Sequence, residues 1–239
     1  MSNIAVSVES GKSVKLPTAG KYCDRDIVVT AAGGTNTGDS TFWSAYQDSG
    51  KRTNYRYAFY QSYWNDGNFR PKYDIVPSAD GQYVFQNCGV TDMKTILEKQ
   101  GVMLDLSKTA NLYYCFAGAK VTRLPELNCA SCGNFQNMFM NCTDLVSIDS
   151  ITISESATGD KLARMFYHCY ALESIAFAGT VNGDLALNDS SLLSRDSIIS
   201  LLNVLKDGGT GTITLGETNL AKLTDEEKAI ATEKGWTLV

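Results

Sequence analysis

Asn134–Ile151, NFQNMFMNCTDLVSIDSI, and Lys161–Phe177, KLARMFYHCYALESIAF, carry one pattern twice. Superimposing Phe166 on Phe139 aligns Met165 with Met138, Cys169 with Cys142, Leu172 with Leu145 and Ile175 with Ile148. The shared pattern is M-F-x-x-C-x-x-L-x-x-I. Two looser copies lie upstream. Phe85-Gln-Asn-Cys88 keeps the F-x-x-C step and brings Val90 and Met93 one residue early. Phe116 has Ala119 at the Cys position, with Val121 and Leu124 again one residue early. The four phenylalanines are 31, 23 and 27 residues apart. That spacing belongs to stacked-repeat proteins, with loops of variable length between units.

Spacing inside a unit predicts its local structure. Met138, Phe139, Cys142 and Leu145 recur at helical intervals and would share an apolar face. Ile151-Thr152-Ile153 alternates like a strand with one buried side. Each unit therefore reads as about two helical turns, a bend and a short strand. A unit of this size buries its apolar face only by stacking on its neighbours. Cysteine fits the pattern as a small hydrophobe between units.

This motif, from about Tyr83 to Phe177, resembles the BspA-like class of leucine-rich repeat, found in bacterial surface proteins and in phage proteins of Gram-positive hosts. The resemblance implies a solenoid with a parallel sheet on one face, and binding in place of catalysis.

The flanks differ in composition. Residues 1–34 hold three strand-like runs, Ala5–Val8, Ser13–Leu16 and Asp26–Thr30, with Pro17–Gly20 as a turn and a Gly-rich tether at Ala31–Gly38. An ordinary hairpin attached to the next domain is one reading. Its GKYCDRDIVVTA resembles a segment of phage and prophage tail-region structural proteins, which implies an attachment module. Residues 35–80 are aromatic, and 11 of the chain's 24 aromatic residues fall between Phe42 and Tyr73. Asp39 caps a predicted helix start and Asn65–Asn68 predicts a turn. Such density suits a cap that shields the first unit, or a platform whose Tyr and Trp faces stack on sugar rings. Trp43, Tyr60, Tyr63 and Trp64 are the candidates for the second role. The stretch FWSAYQDSGKRTNYRYAFYQSYWNDGNFRPKYDI resembles the segment preceding these repeats in phage-type proteins.

Residues 81–190 form the repeat region, including a helix predicted over Thr91–Gln100 and stopped by Gly101. Residues 191–239 predict a helix from Ser194 to Lys206, a strand at Thr212–Gly216, a second helix opened by the capping box Thr224–Glu227, and a final strand after Gly235. This closing order resembles the C-terminal module of the same phage-type proteins, which implies an α/β cap.

Composition narrows the function classes. With 239 residues, 44% hydrophobic, the chain can bury a core. Its net charge of -5 offers no clustered basic footprint for nucleic acid. No apolar run reaches the length of a membrane span, so no membrane insertion is expected. The opening MSNIAVSVESGKSVKLP has neither a basic start nor an apolar run, so a secretory signal is not expected. Seven cysteines are an odd number, and reduced, buried thiols are expected.

Catalytic patterns are weak. The single histidine, His168, neighbours Cys169, but adjacent helical residues would diverge by about 100°. Cys129-Ala-Ser-Cys132 could join Cys115 and Cys142 around zinc, yet Cys142 belongs to the repeat and no second C-x-x-C follows. The Gly-rich stretches open no phosphate loop, and no carboxylate spacing marks a glycosidase pair. The reading is therefore an α+β protein without catalytic residues, metal or cofactor.

Taken with the resemblances, the expected function is that of a phage virion structural protein of the tail fibre or tail tip. It would bind other tail proteins through the N-terminal module and a host surface glycan or protein non-covalently. Asn141, Asp144, His168, Tyr170 and Glu173, which fall between the apolar anchors, are the candidate contacts on the repeat surface. A bacterial cell-surface adhesin and a capsid decoration protein are the alternatives. Homo-oligomerisation stays open, since no heptad stretch drives it.

Overall fold

A computed structural model describes residues 79–239 continuously, together with 4–8, 27–31, 55, 58–60, 64–67, 69, 71 and 74–77. The protein is α+β, with small parallel sheets. β1 (Ile4–Val8) and β2 (Ile27–Ala31) pair in parallel, Ile4 with Ile27, and the Ser13–Leu16 run lies outside the described residues. The Pro17 turn, the 32–38 tether and the Asp39 helix start lie outside the described residues.

The F-x-x-C segments lie side by side. Amides of Gly81, Tyr83, Phe85 and Asn87 donate to the carbonyls of Asn111, Tyr113, Cys115 and Ala117. The same alternation links Leu112–Gly118 to Asn134–Met140, and Phe135–Asn141 to Lys161–Tyr167, at 2.7 to 3.2 Å throughout. The intervening amides close turns within each segment: Met138 to Phe135, Met140 to Asn137, Cys142 to Phe139. Successive N–H groups thus bond alternately across and along, which satisfies the backbone without helix or strand.

The predicted two helical turns are consequently absent from these segments. A left-handed residue two positions before and two after each phenylalanine breaks the helix: Tyr83 and Asn87, Tyr114 and Gly118, Asn137 and Asn141, Arg164 and His168, all with φ between 53° and 69°. Seven of these eight are the third residue of a hydrogen-bonded turn, as in Phe139–Cys142; Tyr83 occupies the equivalent position. Turns of this shape favour Gly or Asn there. A bulkier residue in the left-handed region costs about 1–3 kcal/mol.

The apolar spacing nevertheless marks the core. Residues at the Met, Phe and Cys positions of every copy are buried, including Val84, Cys115 and Ala119. Phe85, Phe116, Phe139 and Phe166 stack face to face, with centroids 4.9, 5.4 and 5.3 Å apart. Phe59 continues the stack at 5.0 Å from Phe85, and its amide donates to the Val84 carbonyl. Phe59 is thus a fifth copy of the phenylalanine position. Tyr55, Phe69 and half-buried Trp64 pack around this end, Trp64 with its ring edge-on to Phe59 at 5.3 Å.

After each Cys position the chain turns into a strand or helix. α1 (Met93–Gln100) is capped by Asp92, whose carboxylate accepts from the Thr95 amide, and ends at left-handed Gly101. β3 (Arg123–Leu124) and β4 (Leu127–Asn128) pair with β5 (Ser147–Ile153), which pairs with β7 (Ser174–Gly179), every pair parallel. The early apolar residues of the upper copies, Val90, Met93, Val121 and Leu124, are buried like Leu145 and Ile148 below. β6 (Thr158–Gly159) pairs in parallel with β8 (Asn182–Gly183).

α2 (Arg195–Asn203) closes the outer edge of β7. Ser194 caps it, and Ser197 and Ser200 hydroxyls accept from the Ile175 and Phe177 amides at 3.0 Å. Unpaired strand edges invite intermolecular pairing, and these hydroxyls remove two of the free donors. The helix ends at Asn203, before the expected Lys206, because Val204 accepts from the Val181 amide and Lys206 donates to the Val181 carbonyl. β9 (Leu185–Ala186), β10 (Thr212–Thr214) and β11 (Thr237–Leu238) form a second parallel sheet. α3 (Gly216–Leu220) and α4 (Asp225–Glu233) pack with it, α4 opening on the expected Thr224–Glu227 capping box. Among the described residues no helix is long and apolar enough to cross a membrane.

Candidate binding surface

The two positions between phenylalanine and cysteine turn outward in the F-x-x-C segments, buried Ala117 excepted, so their side chains fall into columns one segment apart. Two positions beyond the phenylalanine the column runs Asn87, Gly118, Asn141, His168. Here the sequence candidates Asn141 and His168 meet: His168 Nδ1 lies 3.0 Å from Asn141 Oδ1. The His168 backbone amide donates to Asp189 Oδ2 at 2.9 Å, and Asn188 holds the other carboxylate oxygen.

His168 is also sandwiched between phenols. The Tyr167 ring stacks on it at 3.7 Å and 27°, and the Tyr170 ring at 5.2 Å and 24°. The Arg164 guanidinium lies over Tyr167, 5.8 Å from the ring centroid. Tyr167 and Tyr170 are 40% and 49% exposed, large apolar faces left in water. Partial desolvation, followed by the Asp189 carboxylate and Tyr167, pushes the Tyr170 phenol above its ordinary range.

A second phenol group extends this surface. Tyr83 stacks on Tyr114 at 5.7 Å, and Tyr113 meets Tyr114 edge-on at 4.5 Å. Desolvation and then Tyr113 raise the Tyr114 hydroxyl, while the Arg164 charge acts on it in the opposite sense. Tyr83, Tyr114, Asn137 and Arg164 are one column, two residues before their phenylalanines. Asn137 Oδ1 in this column is buried without a hydrogen-bond partner.

The other candidates are placed differently. Asp144 is exposed and pairs with Lys120 of the preceding segment at 3.3 Å. Glu173 is exposed beside β7, its backbone joined to Val146 and Ser194. Tyr60 is half-buried, Trp64 is packed against Phe59 and Phe69, and Trp43 and Tyr63 lie outside the described residues. Tyr83, Tyr114, Arg164 and Tyr167 were not singled out from sequence. Their signal is positional, since each falls outward of a phenylalanine in the aligned copies.

The six cysteines among the described residues are buried. Cys142 Sγ donates to the Phe116 carbonyl at 3.0 Å, and Cys169 Sγ to Phe139 at 3.1 Å, each reaching back one segment. Cys169 and His168 therefore diverge, as expected, but through a turn and not through a helix. Burial pushes the thiols of Cys88 and Cys142 up to about 12 and that of Cys132 to about 11. Such thiols are poor nucleophiles near neutral pH. Among the described residues no three His, Cys, Asp or Glu side chains converge to hold a metal.

Comparison of the chain with protein-family models, curated proteins and solved structures finds no match.

Proposed function

We propose that this chain is a virion structural protein of a phage of Gram-positive bacteria, placed at the tail fibre or tail tip, which recognises the host surface non-covalently. Its F-x-x-C segments are read as a short leucine-rich-repeat solenoid of the BspA-like kind. In such a solenoid each column of outward side chains becomes a linear array. The observation that carries the reading is the row Arg164, Tyr167, His168 and Tyr170, tied to Asn141 of the neighbouring segment at 3.0 Å. Rigid, half-exposed aromatic faces beside fixed hydrogen-bonding groups lose little side-chain entropy when a ligand docks. The row lies on turns whose carbonyls accept from the Asn137, Phe139 and Asn141 amides of the neighbouring segment, and its His168 amide donates to Asp189, so it is preorganised. The resemblances of the two flanks supply the tail assignment and the β-rich module as the attachment to other tail proteins.

The test is competition. Purified full chain, added to cells of the host bacterium, is expected to block adsorption of particles released on induction, and the Tyr167→Ala, Tyr170→Ala double variant is expected to block at least tenfold less. Undiminished adsorption at saturating protein would overturn the reading. Equal blocking by the variant would move recognition to another face.

A further inference from the structure

At Asn87, Gly118, Asn137 and Asn141 the left-handed positions hold residues that tolerate that conformation. At Tyr83, Tyr114 and Arg164 they hold residues that do not favour it, with φ of 58°, 55° and 53°. The fold would be better served by Asn or Gly at these three places. All three sit in or beside the aromatic row. Strain held at a ligand-facing surface points to a role for the side chain.

We propose that Tyr114, Arg164, Tyr167, His168 and Tyr170 bind an acidic glycan, with sugar faces stacked on the phenol rings and a carboxylate or phosphate of the glycan on Arg164. This rests on the reading of the surface as a recognition face and names its ligand class. Arg164 is exposed and pairs with no carboxylate among the described residues, whereas Arg123 and Arg195 each do. An unpaired guanidinium in a planar fork suits an anionic group. Its stacking on Tyr167 holds that fork beside an aromatic face. Pyranose rings present C–H faces to aromatic rings, while Asn141 and His168 offer hydrogen-bonding groups to sugar hydroxyls. Nucleic acid fits poorly, because the row has one guanidinium and the chain a net charge of -5.

The experiment applies the full chain to an array of neutral, uronate-bearing and phosphate-bearing oligosaccharides, alongside Arg164→Asn and Tyr167→Ala. Arg164→Asn relieves the left-handed backbone. It is expected to raise the melting temperature by roughly 2–4 °C while weakening acidic-glycan binding at least tenfold. Tyr167→Ala is expected to weaken it comparably with little change in melting. Retention on no acidic glycan, or unchanged binding by Arg164→Asn, overturns the assignment. Cell adsorption that survives both substitutions overturns it too and leaves the broader recognition reading standing, whereas a chain that adsorbs to no host cell removes both.

Discussion

Phe85 and Phe116 lie ring on ring, 4.9 Å between centroids and 9° from parallel, although 31 residues separate them in the chain. The contact repeats from Phe59 to Phe166, and the backbone ladder beside it repeats in step. A stack of this kind concentrates apolar burial on one axis, so its middle members have aromatic neighbours on both faces.

Removing a middle ring should be costly. Phe116→Ala is expected to lower unfolding free energy by about 3–5 kcal/mol, read as a drop in urea midpoint with little change in slope. Phe116→Leu, which fills more of the space, should lose less. Equal small losses for both would mean that the stack is not the core.

Gly118 illustrates how tightly the columns pass. A Cβ at this position would come within 2.2 Å of Asn87 Oδ1, on a backbone with φ of +69°. Gly118→Ala is expected to destabilise by about 1–2 kcal/mol. Combining it with Asn87→Gly should recover part of that loss, because the two sites share one contact. A double-mutant cycle in urea measures the coupling, and strict additivity would show that Asn87 is not the obstacle.

Lys234 binds three carbonyls at the end of α2, those of Leu202, Asn203 and Leu205, at 3.3, 2.6 and 3.1 Å. The ammonium meets the negative end of the helix and gathers carbonyls of its last turn and of the residues just beyond it. Lys234→Met should cost about 1–3 kcal/mol, measured by thermal unfolding. Thr224→Ala, which removes one arm of the capping box, should cost about 1 kcal/mol.

The thiols give the fold an alkaline limit. Burial raises Cys88 and Cys142 from 9.0 to about 12, so between these values the unfolded chain loses protons that the folded chain keeps. The unfolded state then binds fewer protons, and stability falls as pH rises from about 9 to about 12. Urea midpoints across that window should decline, and less steeply in Cys142→Ala relative to its own value at pH 7. A flat profile would contradict the burial.

The core was legible in the sequence, and its backbone was not. The spacing of Met138, Phe139, Cys142 and Leu145 marked the buried side correctly, yet it also fits a helix. What decides against the helix is the left-handed residue on either side of Phe139, Asn137 and Asn141, whose amides both donate across to the neighbouring segment, to the carbonyls of Ala163 and Tyr167. Phe59 escaped notice because Ser62 stands at its Cys position amid many other aromatics. The Asn141–His168 contact was within reach, since aligning Phe166 on Phe139 superimposes the two residues. Asp189, which fixes the His168 amide, comes from beyond the repeated motif, which ends at Phe177, and carries no local signal. Arg164 and Tyr167 looked like filler between anchors, because only the turn geometry turns them outward into one row.

The most direct measurement is location. Gold-labelled antibody against the chain, applied to particles released on induction and to uninduced cells of the same bacterium, should mark the tail end of the particles. Label confined to the envelopes of uninduced cells, with none on particles, would contradict the virion assignment and favour a cell-surface adhesin.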